Sequence, residues 1–155
     1  MAVVTKSAAG LPDLTAAKPG SVDVRKNHGV LRTSSFTAVI ASGDSPASTF
    51  EVARLPSHAR ISRLSKLHSS GITGATDNDL GPADNPDAFV DGQTLAATAT
   101  VEGASAITNA LSDNAVWELA GMDKDPKSEI PIFLTLKAAA TAAGTVVVDL
   151  VYIVD

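Results

Sequence analysis

Two apolar runs near the C-terminus alternate at period two. Residues 130–136 place an aliphatic side chain at every second position, and residues 146–154 do the same, with Asp149 on the opposite side. This alternation, together with many β-branched residues, is typical of strands that bury one face. Seven small residues, 138–144, separate the runs. The simplest arrangement is an antiparallel hairpin formed by the last two strands.

Further strand patterns lie upstream and are separated by turn residues. The candidate strands are residues 22–25, 30–41, 49–55, 59–67 and 94–102. The fourth is ambiguous, because Ile61, Leu64 and Leu67 recur every three residues, as on a helix, while Ile61 and Leu67 also share a strand face. The break at Pro56 and the short connection to the preceding strand favour a strand.

Two of these strands have a predicted buried face. In 30–41 that face consists of Val30, Phe36, Ala38 and Ile40. In 94–102 it consists of Leu95, Ala97, Ala99 and Val101. Thr94, Thr98, Thr100 and Glu102 lie at alternate positions, as expected for a sheet with one solvated face.

The rest of the chain predicts loops and little helix. Residues 69–92 contain four Gly, two Pro and five Asp, which favours long loops with at most one short strand. Residues 112–120 predict a short helix, with Ser112 as its N-cap and Gly121 beyond its last turn. The first 21 residues show no sustained periodicity and are interpreted as a flexible N-terminal arm.

These patterns together predict an all-β fold. Seven or eight short strands with turn clusters between them indicate an antiparallel β-sandwich or jelly roll, with one or two short helices and long loops. At 155 residues the chain is long enough for one substantial core. We therefore expect a single β-sandwich domain over residues 22–155, preceded by the arm 1–21.

Composition narrows the function. The chain is 45% hydrophobic and 19% charged, with no cysteine, so we expect a globular protein without disulfides or cysteine-ligated metals. The N-terminus lacks the basic and apolar regions of a signal peptide, and the longest apolar run, interrupted by Asp149, is too short to span a bilayer. The expectation is a soluble protein with no membrane partner.

Catalytic and metal-binding motifs are weak. Three histidines occur, His28, His58 and His68, without metal-ligand spacing, and no Gly-x-Ser-x-Gly elbow is present. The best metal candidates are the loop acids Asp77, Asp79 and Asp84. They begin like a calcium loop, but Gly81 stands where a ligand is needed and no Glu closes the loop, so solvated acids are the favoured interpretation. We expect no enzymatic activity and no cofactor.

Charge and aromatic content point to protein contacts. Residues 1–68 hold nine Lys/Arg against four acids, whereas residues 69–155 hold three against thirteen. The basic candidates for an interface are Arg54, Arg60, Arg63 and Lys66. Without interleaved aromatic residues, and with a net charge of −5, nucleic acid is not the expected partner. The single tryptophan, Trp117, is interpreted either as a core residue or as an interface anchor.

Three stretches resemble a known family. Residues 50–61 (FEVARLPSHARI), residues 117–126 (WELAGMDKDP) and the C-terminal VYIV look like small head proteins of tailed bacteriophages. Within that group the chain is similar to the cement, or decoration, proteins, which have a jelly-roll-type β fold. The resemblance covers about residues 30–155, and none of the three stretches is a catalytic signature.

The resemblance implies a structural virion protein. It implies binding to the exterior of the capsid, where the protein clamps neighbouring subunits of the major capsid protein, after assembly in the host cytoplasm. It also implies self-association as a dimer or trimer. The alternative is a head- or tail-fibre module that recognises host-surface glycans, although such a module favours exposed aromatic rings, which are few in this sequence.

Overall fold

The computed structural model describes residues 29–154, and the predicted arm 1–21 and strand 22–25 lie outside them. The elements in chain order are β1 (Val30–Ile40), β2 (Thr49–Pro56), β3 (Arg60–Ile61), β4 (Lys66–Ser70), β5 (Asn78–Pro82), β6 (Thr98–Glu102), α1 (Val116–Leu119), β7 (Glu129–Leu136) and β8 (Gly144–Val154). Within residues 29–154 no helix is long and apolar enough to cross a membrane.

The strands form two antiparallel sheets. The larger has the order β1-β8-β4-β6, with β3 pairing the C-terminal end of β8 on the same side as β4. The smaller has the order β2-β7-β5, and a single antiparallel bridge joins Leu80 of β5 to Val90. Apart from β3 and β4, which both belong to the larger sheet, successive strands alternate between the sheets in the interleaved order of a jelly roll. The predicted all-β sandwich is confirmed.

The two C-terminal strands build the centre of the core. In β7 the alternate residues Ile130, Ile132, Leu134 and Leu136 are buried, and in β8 the same holds for Val146, Val148, Leu150 and Tyr152. Period-two alternation puts each set on one face of its sheet, and the two faces pack against each other. The predicted strands and their buried faces are therefore confirmed.

The predicted pairing of these two strands is wrong. β7 is bonded on both sides within the smaller sheet, by β2 and β5, while β8 is flanked by β1 and β4 in the larger one. The connection between them crosses from one sheet to the other. Its backbone groups bond to other loops: the Ala140 amide donates to Asp44 O (3.0 Å) and the Thr141 amide to Thr73 O (2.7 Å). Both strands alternate because each is central, not because they form a hairpin.

Residues 59–67 are neither one strand nor a helix. A turn separates β3 from β4, and the hydroxyl of Ser65 completes the broken ladder by donating to Ser62 O (2.8 Å) and accepting from the Val151 amide (3.0 Å). The turn directs Leu64 into solvent, where 64% of its surface is exposed, while Ile61 and Leu67 stay buried. The three-residue recurrence is therefore not a helix face, because Leu64 lies in the turn and only Ile61 and Leu67 belong to strands.

Three other sequence predictions need correction. The strand in 94–102 is only β6, and Ala97 and Ala99 are exposed, because the three-stranded partner sheet is too narrow to cover this edge. The short helix begins at Val116 rather than after Ser112. Its N-cap is Ala115, whose amide donates to the Glu118 carboxylate at 2.7 Å.

Candidate interaction surfaces

Exposed apolar side chains are concentrated on β1. Within residues 29–154 the large hydrophobic residues with exposed surface are Val30, Leu31, Phe36, Val39 and Leu64, at 38% to 70%. Four of these five belong to β1. Only Ala38 and Ile40 of its eleven residues are buried, so half of the predicted buried face of this strand, Val30 and Phe36, is exposed. Apolar area of this kind on a sheet edge is a feature of interaction surfaces.

A polar network crosses the outer face of the larger sheet. The Asp149 carboxylate of β8 accepts hydrogen bonds from Ser35 Oγ at 2.5 Å and from His68 Nε2 at 2.9 Å. Because a carboxylate only accepts, His68 Nε2 bears a proton, and His68 Nδ1 lies 2.8 Å from the Thr100 hydroxyl. The chain of contacts spans all four strands, from β1 to β6. It fixes the strands relative to one another on the solvent side.

Apolar residues surround this network. Val147, Val151 and Ile153 of β8 point to the same outer face and are half-buried. Leu31 pairs with Ile153 and Val39 with Thr145, which places both exposed β1 residues at the margin of this face. The outer face of the larger sheet thus combines an ordered polar centre with an apolar rim, a composition found at protein–protein contacts.

The four predicted basic residues do not share one strand or one sheet. Arg54 belongs to β2 of the smaller sheet, whereas Arg60, Arg63 and Lys66 lie in or between β3 and β4 of the larger one. Arg60 is buried and lies 3.7 Å from Asp113, while Arg63 is exposed and lies 3.4 Å from Asn109 Oδ1.

Ion pairs balance two of these charges within the chain. Arg54 Nε donates to the Glu51 carboxylate at 2.6 Å, which raises the pKa of the guanidinium. Lys66 Nζ donates to Glu102 at 2.7 Å, and this hydrogen bond, more than the charges of Lys66 and Arg63, lowers the pKa of Glu102. Exposed pairs of this kind contribute little to folding and stay available to a partner.

Trp117 lies in α1 and is half-buried against the core. Its amide donates to Ser57 O at 3.1 Å, and the neighbouring Val116 amide donates to Ala59 O at 2.8 Å. The helix is thereby attached to the segment between β2 and β3. Two of the stretches that support the resemblance, 50–61 and 117–126, therefore meet in space, although about sixty residues separate them.

A second bond joins the same two stretches. The Ser57 hydroxyl donates to Asp125 Oδ1 at 2.5 Å, and the Lys127 amide donates to the same oxygen at 2.8 Å. The bond from Ser57, followed by that from Lys127, lowers the pKa of Asp125. His58 lines the adjacent shallow cleft. The serine therefore donates to a carboxylate and not to an imidazole.

The three acidic metal candidates have separate surroundings. Asp79 is fully buried, accepts from the Gly92 amide at 3.0 Å and lies 2.7 Å from Lys137 Nζ. This contact with Asp79 raises the pKa of Lys137. Asp77 and Asp84 are exposed. In the part of the chain that the structure describes, no three His, Asp or Glu side chains are placed to hold a metal ion. A lysine ammonium thus stands beside the buried carboxylate of Asp79.

Sequence patterns missed the surfaces on β1 and β8. The alternation in residues 30–41 predicted one buried face, and nothing in it indicated that Leu31 and Val39 at the alternate positions lie exposed on the outer face. The signal for the network was Asp149, a charged residue inside an apolar run, because such a residue on a central strand needs partners on its neighbours. Its two partners, Ser35 and His68, are more than 80 residues away in sequence and were not predictable from local spacing.

Comparison with known proteins supports the fold. The chain is similar to a solved structure described as the cyanophage Pam1 capsid asymmetric unit, with a TM-score of 0.53 and 18% sequence identity. The match covers 92% of this chain and 95% of that chain. No family model matches, and no curated protein matches. At this identity the likeness shows a shared β-sandwich architecture over nearly the whole of both chains.

Proposed function

We propose that this protein is a structural component of a tailed-phage virion. In this proposal it binds the exterior of the capsid and clamps neighbouring subunits of the major capsid protein, as a cement protein does. The observation that supports it most directly is the fold match to a capsid chain over almost the full length of both molecules. The sequence resemblance to phage cement proteins, reached independently of the fold, points to the same class.

The outer face of the larger sheet is the proposed contact with the shell. Its apolar rim at Val151 and Ile153 offers area that a partner can bury, and the ordered network around Asp149 offers polar groups already held in place. Arg63 and Leu64 project from the turn between β3 and β4, where both are exposed. An exposed Arg beside an exposed aliphatic residue suits the centre of a contact with an acidic, partly apolar subunit junction.

The proposed mechanism is stabilisation by differential binding. A protein that binds the expanded lattice and not its precursor lowers the free energy of the expanded state by an amount that grows with occupancy. Specific contacts of this type bury roughly 800 Å² per partner. The rigid outer face reduces the ordering cost, because its strands are already fixed by hydrogen bonds before binding.

Two other functions have less support. An enzyme requires a polar pocket whose groups converge on a reacting atom, and the Ser57–Asp125 pair and the Asp79–Lys137 pair both serve the fold. A glycan-binding module requires aromatic rings that stack on sugars, and Tyr152 is buried while Trp117 is half-buried. We therefore propose a non-enzymatic protein whose partners are capsid subunits and further copies of itself.

Cosedimentation with phage heads tests the capsid role. The purified protein should sediment with expanded capsids and stay in the supernatant with procapsids. The double variant R63E/L64D should weaken binding to expanded capsids about tenfold or more, the effect of losing one strong contact. The matched control is A83D, which adds a charge at an exposed turn beside the smaller sheet. Equal binding to both particles, or none to either, would reject the proposal.

A further inference from the structure

The sandwich has four sheet edges, and three of them are protected. β2 contains a bulge between Glu51 and Ala53 and ends in Pro56. β6 is only five residues long and ends in Glu102. β5 ends in Pro82, and the Leu80–Val90 bridge covers its edge. Short length, bulges, proline and charge are the features that keep edge strands from pairing with other chains.

The edge of β1 has almost none of these features. It is eleven residues long, contains no proline, and pairs with β8 without a bulge from Val30 to Ile40. Its single charged residue is Arg32. Because β8 occupies one side of β1, the backbone N–H and C=O groups that point to the other side have no strand partner among the described residues. A long, regular and partly apolar edge is a template for an added strand.

The sequence of β1 is complementary to itself about its centre. A two-fold axis normal to a sheet keeps each face on its own side, and directly opposite residues share a face. The axis must therefore lie midway between the two copies of one residue, which pair with each other. Ser35 is the middle residue of β1, and on the outer face it is flanked by Thr33 and Thr37, with Leu31 and Val39 beyond. Antiparallel pairing about Ser35 therefore matches threonine with threonine and leucine with valine.

The other face of β1 fits the same register. About Ser35, the charged Arg32 comes opposite the small Ala38, so no like charges meet. Thr–Thr and aliphatic cross-strand pairs each stabilise a sheet, whereas like charges directly opposite destabilise it. The register also uses all eleven positions of the strand, since Val30 pairs with Ile40.

We propose that β1 pairs antiparallel with β1 of a second copy across a two-fold axis at Ser35, so that the larger sheets of two copies form one continuous sheet. This deepens the self-association contained in the proposed function, and it names the strand, the symmetry and the register. The pairing covers the exposed Leu31 and Val39 and satisfies the edge backbone groups. It also joins two outer faces side by side, which doubles the surface offered to a capsid.

Cysteine cross-linking tests the register. The chain has no cysteine, so single substitutions report on defined positions. Directly opposite residues in antiparallel strands have Cα atoms about 4.5–5.5 Å apart, which a disulfide can bridge. S35C alone should oxidise to a covalent dimer, and an equimolar mixture of T33C and T37C should do the same. T33C alone should not, because its own copies lie roughly 13 Å apart. Failure of S35C to cross-link, or efficient cross-linking of T33C alone, would overturn the proposed register.

Charge reversal tests the interface without oxidation. In the proposed register, T33K/T37K places lysine opposite lysine twice, so its dimer dissociation constant should rise about tenfold or more, and T33E/T37E should behave alike. T33K/T37E, and a mixture of the two like-charged variants, should restore the dimer. All of these substitutions lie on exposed positions, and melting of the monomer checks that the fold is unchanged. Sedimentation equilibrium measures the association.

The outcomes separate this inference from the capsid role. A wild-type monomer, a trimer, or dimers that persist in both like-charged variants would overturn β1 pairing. Capsid cosedimentation of T33K/T37K then reports on the proposed function separately. If capsid binding persists with lower apparent affinity while the dimer is lost, the pairing and the capsid role both stand. If the wild-type protein forms the dimer but does not sediment with expanded capsids, the capsid role alone is rejected.

Discussion

β5 and β1 are both edge strands, but they are built in opposite ways. All five residues of β5 are buried, and the turn that follows it folds back so that the Asn85 amide donates to Pro82 O. Nine of the eleven residues of β1 are exposed or half-buried, and one side of its ladder has no strand partner among the described residues. The described chain thus closes one edge with its own loops and leaves the other edge unpaired. The buried edge contributes to the stability of the monomer, and the unpaired edge is the one that we propose to bind a second copy.

Glycine makes the closed edge possible. A Cβ at Gly81 would lie 2.4 Å from Asn85 O and 2.7 Å from Pro86 O, so the turn after β5 packs this closely only because position 81 has no side chain. Beneath the turn, Asp79 is paired with Lys137 and bonded to the Gly92 amide. Among residues 29–154 nothing equivalent covers β1, where the corresponding space next to Phe36 is a shallow cleft.

The largest expected difference between the two strands is in stability, and truncating one leucine side chain in each strand to alanine tests it. Leu80→Ala removes a fully buried side chain and should lower the free energy of unfolding by about 3 kcal/mol, the usual cost of a core cavity. The control, Leu31→Ala, removes a leucine that is 56% exposed and should change it by less than about 0.5 kcal/mol. Urea denaturation at low protein concentration measures both. Equal losses would mean that β1 is part of the cooperative core.

The closed region was the harder one to predict from sequence. The alternation in β7 and β8 identified two core strands and their buried faces correctly, because a central strand with one buried face has period two. β5 has no such alternation, since the core covers one face and the returning turn covers the other. Its residues Asn78, Asp79 and Gly81 predict a loop, and only tertiary contacts make them a strand.

Local sequence patterns also did not predict which strands pair with each other. The last two strands are adjacent in sequence but belong to different sheets, because each already has neighbours on both sides. Local patterns set which face of a strand is buried, whereas the sheet that it joins depends on the whole topology. The same limit applies to the basic residues, since Arg54 and Arg60 are close in sequence but lie in different sheets.

Trp117 is less buried than Leu80 and more buried than Leu31, so its replacement should have an intermediate effect on the free energy of unfolding. Because the ring is half-buried against the core, Trp117→Ala should lower the free energy of unfolding by about 2 kcal/mol, roughly half of what a fully buried ring costs. Trp117→Phe, which keeps a ring, should lose less than about 1 kcal/mol. Thermal melting measures stability and cosedimentation measures capsid binding. Unchanged stability with lost capsid binding would assign Trp117 to the interface instead.

A smaller predicted effect concerns acid sensitivity at the Ser57–Asp125 bond. The hydrogen bond from Ser57 lowers the pKa of Asp125 below its ordinary value of 3.8, so its stabilisation is present above that pH and is lost as pH falls through the folded-state value. Ser57→Ala should lower the melting temperature by about 2–4 °C at pH 7. The deficit should shrink below about pH 4, because wild type loses the same stabilisation there.

An exposed ion pair of the open sheet is the matched control. Lys66 lowers the pKa of Glu102, so Lys66→Met should also lose most at neutral pH, and the sign of its pH dependence is the same. Its effect should be smaller than that of Ser57→Ala and should vanish in about 1 M salt, because both side chains are largely exposed and therefore screened. The Ser57 deficit should persist in salt, since that hydroxyl is buried. Equal loss of both deficits in salt would contradict this prediction. It would mean that the Ser57–Asp125 contact between residues 50–61 and residues 117–126 is as solvated as the outer face of the larger sheet.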